Sequence, residues 1–160
     1  MSPESNLTLS VLLGYDHDLP WIDCRAVCVL FTPERIFVGN DDGSITIWLI
    51  QDDHIELCCI SRSPSNFPVV DLVSFKLSSN AIPMIASIQS DGTFATLSAN
   101  GSMFLSVSPK LLVGVGIARA STVFGGGRYL AVTGQSVSIL IMDLITMSPT
   151  HLLHGSKIRE

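Results

Sequence analysis

The stretch that most constrains the fold is residues 36–50, IFVGNDDGSITIWLI. Two short runs rich in β-branched and aromatic residues flank an Asp-Asp-Gly turn, and the second run alternates in polarity from Ser44 to Leu49. Asp42-Gly43 is a strong hairpin signal, because Gly accepts a positive φ and Asp tolerates the left-handed region. The stretch therefore predicts a β-hairpin whose second strand carries Trp48.

The same hairpin recurs along the chain. A second Asp-Gly pair begins at Asp91, 49 residues after Asp42, and this spacing places Leu97 at the position of Trp48. In a third copy, SILIMDL, Met142 takes that position, 45 residues after Leu97. Repeats of this length are typical of propeller blades, each of which contains four strands. We see no amphipathic helix pattern, and an all-β fold is predicted.

These repeats predict a single partial β-propeller over residues 1–160. The blade boundaries are about 7–50, 55–99 and 102–145, with the first strand of a fourth blade at about 150–160. Propellers close with four or more blades, and an open arc of three would leave apolar sheet faces uncovered. We therefore expect the chain to be the amino-terminal fragment of a longer propeller, with the remainder of that propeller as a partner.

The charge and hydrophobicity of the chain exclude some classes of function. Only 14% of residues are charged and 47% are hydrophobic, a low surface charge for an independent domain. The net charge of -5 argues against nucleic-acid binding, which needs clustered Lys and Arg. The opening MSPESN has no signal-peptide character, and no apolar run is long enough to span a membrane. We expect a cytoplasmic protein that reaches vesicle or endosomal membranes only through partners.

No catalytic, cofactor or metal site is predicted. The run Gly114 to Ala120 has Arg119 at the third glycine position of a dinucleotide fingerprint and lacks the required strand–turn–helix context. The triplet that starts at Gly125 is interpreted as a hairpin turn. The four cysteines fit no zinc spacing and are predicted to be free thiols. They are Cys24, Cys28, Cys58 and Cys59.

The candidate interaction residues are Tyr15, His17 and Trp21, which lie in one polar and aromatic loop. Aromatic side chains contribute disproportionately to protein–protein interfaces, so we predict that these residues contact a protein partner. Two alternatives remain open. One is a propeller-fold hydrolase fragment that uses Asp16, His17 and Asp41, and the other is a truncated product with no independent function.

The repeats resemble WD40 repeats, although each copy keeps only part of the signature. Trp48 is followed by Leu49 where the family has Asp, whereas the third copy keeps Asp143 and replaces the Trp with Met142. The resemblance implies a propeller that scaffolds protein–protein contacts. The departures from the motif weaken the buried polar network that such repeats use, and leave packing to hold the blades.

The order of segments also resembles the amino-terminal propeller of rabconnectin-3 β-type proteins. The similar segments are LTLSVLLG at residues 7–14, AVCVLFTPERIFVGNDDGSITIWLI at 26–50 and GRYLAVTGQSVSILIMDL at 127–144. This resemblance implies a cytoplasmic scaffold that helps to assemble or regulate the vacuolar proton-pumping ATPase. The partners would then be factors of pump assembly, vesicle acidification and trafficking.

Overall fold

The structure is a computed structural model that describes residues 24–63, 65–79, 81–101, 104–108 and 110–155. Within these ranges the regular structure consists of β-strands, and no helix is present. The strands are β1 (Ala26–Phe31), β2 (Arg35–Asn40), β3 (Ser44–Ile50), β4 (Ile55–Arg62), β5 (Val69–Phe75), β6 (Met84–Gln89), β7 (Phe94–Ser98), β8 (Phe104–Ser108), β9 (Ala118–Phe124), β10 (Tyr129–Gly134), β11 (Ser138–Asp143) and β12 (Ser148–His154). The predicted all-β class is confirmed for this part of the chain.

The strands form three antiparallel sheets of four strands each, and within each sheet every strand pairs with its neighbour in the chain. Sheet 1 contains β1 to β4, sheet 2 contains β5 to β8, and sheet 3 contains β9 to β12. The turn between the second and third strands contains Gly43 in sheet 1 and Gly92 in sheet 2, with φ of 82° and 87°. Both glycines therefore occupy the left-handed region that the Asp-Gly signal predicts.

The sheets divide the chain one strand later than the predicted blades. β4 pairs with β3, with Cys59 opposite Ile47, so it completes sheet 1 and does not open the second unit. β8 and β12 likewise complete sheets 2 and 3, so residues 150–154 belong to the third sheet and no fourth sheet begins there. The predicted strand at residues 7–13 lies outside the described residues. An antiparallel strand can pair with the hairpin before or after it, and alternation alone does not distinguish the two.

Successive sheets pack face to face around two apolar clusters. Side chains from sheet 1, including Phe37 and Ile47, meet Leu72 and Leu97 of sheet 2 in the first cluster. The second cluster joins the other face of sheet 2 to sheet 3. The first strands of the sheets contact one another in sequence, β1 with β5 and β5 with β9. This arrangement is compatible with part of a β-propeller.

Within the described ranges, the chain contains no helix whose length and apolar character would allow it to cross a bilayer.

Candidate interaction surface

At the edge of the sheets that carries the Asp-Gly turns, the Asp side chains accept hydrogen bonds from residues of their own turns. In the β2–β3 turn, Asp42 Oδ1 accepts hydrogen bonds from the Ser44 backbone N–H at 2.9 Å and from Ser44 Oγ at 2.5 Å. The other oxygen lies 3.3 Å from Arg62 Nη1. Burial would raise the pKa of Asp42, but the Ser44 hydrogen bonds and the Arg62 charge outweigh it and hold this pKa below its usual range.

Sheet 2 repeats the arrangement with Asp91. Its Oδ1 accepts from the Thr93 backbone N–H at 3.0 Å, and its Oδ2 accepts from Thr93 Oγ1 at 3.0 Å. Ser65, in the loop that leaves sheet 1, donates to the same Oδ2 at 3.1 Å. Each Asp side chain therefore closes its own turn, and the second one also holds the connecting loop.

The loop between sheets crosses the preceding turn at very close range. A Cβ at Gly43 would lie 2.4 Å from the carbonyl oxygen of Ser65. Gln89 is fully buried beneath this crossing and donates from Nε2 to the carbonyls of Ser65 at 3.2 Å and Gly43 at 3.4 Å. Ser63 Oγ donates to Gln89 Oε1 at 3.2 Å. One buried amide therefore joins two sheets and the loop between them.

The same crossing recurs at the other two turns. The backbone N–H of Leu112 donates to the carbonyl of Gly92 at 3.0 Å, and that of Gly155 donates to Val137 at 3.0 Å. The third turn lacks an Asp, and Ser136 instead bonds through its backbone N–H to Val115 O at 3.0 Å. We call this set of turns and crossing loops the turn edge. It is ordered by backbone contacts and presents loops, where binding residues commonly lie.

The predicted interaction residues Tyr15, His17 and Trp21 lie outside the described residues, and so does Asp16 of the hydrolase alternative. Asp41 is described, and it lies at the turn edge. Its Oδ1 accepts a hydrogen bond from the Arg25 backbone N–H at 2.9 Å, and its Oδ2 lies 3.8 Å from Arg25 Nε. Both of these groups belong to Arg25, and neither is a nucleophile or a proton carrier. The contacts of Asp41 are therefore those of an edge residue that fixes the start of sheet 1.

The cysteines are free thiols, as the sequence predicts. Cys28 Sγ donates to the Val69 carbonyl at 3.3 Å, and burial, together with the charge of Asp71, raises the pKa of Cys28 to about 12. Burial raises the pKa of Cys59 as well, and the adjacent Cys58 thiol adds to the rise. In the part of the chain that the structure covers, no group of three or more His, Cys, Asp or Glu side chains could hold a metal ion.

Sheets 1 and 3 each carry exposed apolar residues on the face that points away from sheet 2. On β1 of sheet 1, Cys28 and Leu30 pack toward sheet 2. Val29 and Phe31 alternate with them, point the other way and are 52% and 61% exposed. We call this face of sheet 1, which Trp48 shares, the leading face. Its exposure is confined to β1, because Ile36 and Thr46 on β2 and β3 are only 4% and 3% exposed.

The face of sheet 3 that points away from sheet 2 is more widely exposed. Ile139 alternates with buried Leu140 on β11 and lies opposite Leu153 of β12, and these two residues are 38% and 51% exposed. We call this the trailing face. Low charge in the sequence signals such faces in general terms. The residues on these faces can be identified only once the strand pairing is known, and the sequence-based blade boundaries begin each unit one strand too early.

Comparisons with protein-family models and with curated proteins found no match to this chain.

Proposed function

We propose that these sheets belong to a WD40-like β-propeller that acts as a non-enzymatic scaffold for protein–protein contacts. The observation that carries the proposal is the turn edge, where three similar sheets present loops whose Asp side chains, Asp42 and Asp91, are already engaged in their own turns. Function on such folds lies in loops grafted onto a rigid frame. A surface of this kind supports recognition of another protein better than it supports acid–base chemistry.

The proposed partners are factors that assemble or regulate the vacuolar proton-pumping ATPase, and the proposed location is the cytoplasm, with peripheral association at vesicle membranes. The support is the resemblance of residues 7–14, 26–50 and 127–144 to rabconnectin-3 β-type propellers. The low charge and the net charge of -5 are in keeping with a protein partner and not with a nucleic acid.

The proposed contact residues are Tyr15, His17 and Trp21. Trp21 precedes Arg25 by four residues, and Arg25 bonds to Asp41 at the turn edge. Four residues span at most about 14 Å, so a partner held by Trp21 would also reach the turn edge. We therefore place the partner surface across this aromatic loop and the first turn of sheet 1.

The test is affinity capture of the tagged 160-residue chain from cells after cross-linking, with mass spectrometry of the captured proteins. We expect pump subunits or assembly factors to be enriched, and the double variant Tyr15→Ala, Trp21→Ala to lose them. The matched control is Ile82→Ala, at a 77% exposed apolar residue in the β5–β6 turn, which should capture the same proteins as the wild type. Failure to enrich any protein contradicts the scaffold function.

A second measurement isolates the proposed role at the pump. Loss of the protein should slow vesicle acidification, measured with a pH-sensitive dye, and the wild-type chain should restore the rate while the double variant should not. Normal acidification after loss of the protein would reject the role at the pump, even if other protein partners were captured.

A further inference from the structure

The last strand of sheet 1 carries two adjacent cysteines at a break in its pairing. In β4, Leu57 lies opposite Trp48 and Cys59 lies opposite Ile47, which leaves Cys58 as the extra residue of a β-bulge. β4 is the outer strand of its sheet. Cys58 is exposed and Cys59 is partly buried, so the pair can be reached from solvent.

The bulge is common to the three sheets, whereas the cysteines are particular to sheet 1. The pairing of the last strand skips one residue at the same place in the other sheets, at Leu105 in β8 and at Thr150 in β12. Ser106 and His151 follow them at the position of Cys59. Sheets 2 and 3 therefore form this bulge without a thiol, and the strand geometry does not require one.

The bulge brings the two thiols of sheet 1 together. Successive side chains of a regular strand point to opposite faces of the sheet. The Cys58 and Cys59 thiols instead hydrogen-bond to one another. A bulge places two residues of one strand opposite a single residue of its neighbour and changes the direction of their side chains. Two sulfur atoms are thus held at one accessible place.

This pair is better suited to binding an ion than to forming a disulfide. The Cα atoms of adjacent residues are about 3.8 Å apart, below the range of about 4.4 to 6.8 Å that disulfides usually span. A bond between the two sulfurs would therefore be strained. An ion bound to both sulfurs adds one atom to the ring and relieves that constraint.

We propose that Cys58 and Cys59 bind one copper(I) ion as a pair of thiolates. Thiolates select copper(I), zinc and iron–sulfur clusters, and the last two take four ligands, whereas copper(I) also forms complexes with two. In the described part of the chain, no third His, Cys, Asp or Glu joins this pair. The ion displaces one proton from each thiol, both protons go to solvent, and the complex carries one net negative charge.

Arg35 supplies the opposite charge beside this complex. Burial has the largest effect on the pKa of the Cys59 thiol and raises it, whereas the nearby Arg35 charge acts in the other direction. Arg35 Nη1 lies 3.3 Å from the exposed Glu34 carboxylate, but its Nε is buried and has no hydrogen-bond partner among the described residues. A negatively charged sulfur complex would be stabilised by this guanidinium.

The test is competition for copper(I) between the reduced 160-residue chain and the coloured chelator bicinchoninate, in the absence of oxygen. We expect the chain to withdraw one copper(I) ion from the chelator. Cys58→Thr and Cys59→Ser should each weaken binding at least about 100-fold, because each removes one of two ligands. These variants carry the residues that sheets 3 and 2 have at the same positions, so the bulge should form in both.

Cys24→Ser is the matched control, since it removes a partly buried thiol outside the pair and should bind copper(I) as the wild type does. Equal affinity of the Cys58→Thr and Cys24→Ser chains would overturn the proposal, and so would a wild-type chain that withdraws no copper(I). Zinc bound as tightly as copper(I) would overturn the assignment to an ion with two ligands. Far-ultraviolet circular dichroism checks that the variants keep their sheets.

Arg35 provides a test of the charge of the complex. Arg35→Gln should weaken copper(I) binding about 10-fold while one ion is still bound per chain, and Arg35→Lys should restore most of the affinity. Equal affinity of the Gln and Lys variants would contradict the role of the positive charge. None of these results depends on captured partners, so failure of this inference is distinguishable from failure of the scaffold function.

Discussion

Asp143, the last residue of β11, is held by hydrogen bonds from both a side chain and the backbone. Arg128 donates to its Oδ2 from Nε at 3.0 Å and from Nη2 at 2.8 Å, and the Ile145 backbone N–H donates to its Oδ1 at 2.8 Å. Only 6% of the Asp143 side chain is exposed, whereas Arg128 is half exposed and lies over the Tyr129 ring. The Arg128 hydrogen bonds lower the pKa of Asp143, although burial opposes them.

This geometry predicts a specific dependence of stability on pH. A carboxyl group whose pKa is lower in the folded chain stabilises the fold above its ordinary pKa of 3.8, and that contribution is lost as the pH falls through the lower folded value. Asp143→Asn should therefore reduce the free energy of unfolding at pH 7. It should also reduce the further loss of stability on acidification below the ordinary carboxyl pKa, as measured by urea unfolding at pH 7 and at acidic pH. Asp52→Asn, at an exposed turn carboxylate, is the control. Equal acid sensitivity of the Asp143→Asn and wild-type chains would contradict the prediction.

Cys28 provides a second prediction at the residue scale. With a pKa of about 12, only about one in ten thousand Cys28 side chains is a thiolate at pH 8, and the thiolate is the form that alkylates. In the folded chain, iodoacetamide should modify exposed Cys58 well before Cys28, as followed by mass spectrometry of the peptides. In urea the difference should vanish. Equal rates for the two cysteines in the folded chain would contradict the raised pKa of the partly buried Cys28 thiol.

The turns of the sheets give a prediction at the scale of the element. Gly43 and Gly126 both have positive φ, 82° and 67°, so Ala at either position costs about 1 kcal/mol of backbone strain. A Cβ at Gly126 would meet nothing within 4 Å, whereas at Gly43 it would strike the backbone of the crossing loop. In urea unfolding, Gly43→Ala should lose about 2 kcal/mol more than its control, Gly126→Ala. Similar losses for both variants would show that the loop does not cross the turn closely.

At the same scale, the sequence predicts local features well and pairing poorly. Alternation and Asp-Gly turns identify nearly every described strand, because both signals arise within a few residues. The assignment of β4 to sheet 1 depends on contacts between Ile47 and Cys59, which a repeat period does not determine. No local sequence pattern marks Gln89 as a residue that joins two sheets, since its partners, Gly43 and Ser65, lie far away in the sequence. The residues that join sheets are therefore the ones that sequence reasoning misses.

Across the whole molecule, coverage of the sheets is uneven. Sheet 2 has sheet 1 on one face and sheet 3 on the other, and the side chains of β6 and β7 are buried in both directions. In sheet 3, the pattern along β11 alternates between buried and partly exposed positions until its last two residues. Stability against local opening should follow this difference, because it depends on the apolar surface that each strand buries.

Amide hydrogen exchange should therefore report the coverage of the sheets. Amides of β6 and β7 should exchange more slowly than those of β11 and β12, because β6 and β7 are buried on both faces whereas β11 and β12 carry exposed residues. Equal exchange rates in these four strands would contradict the assigned coverage.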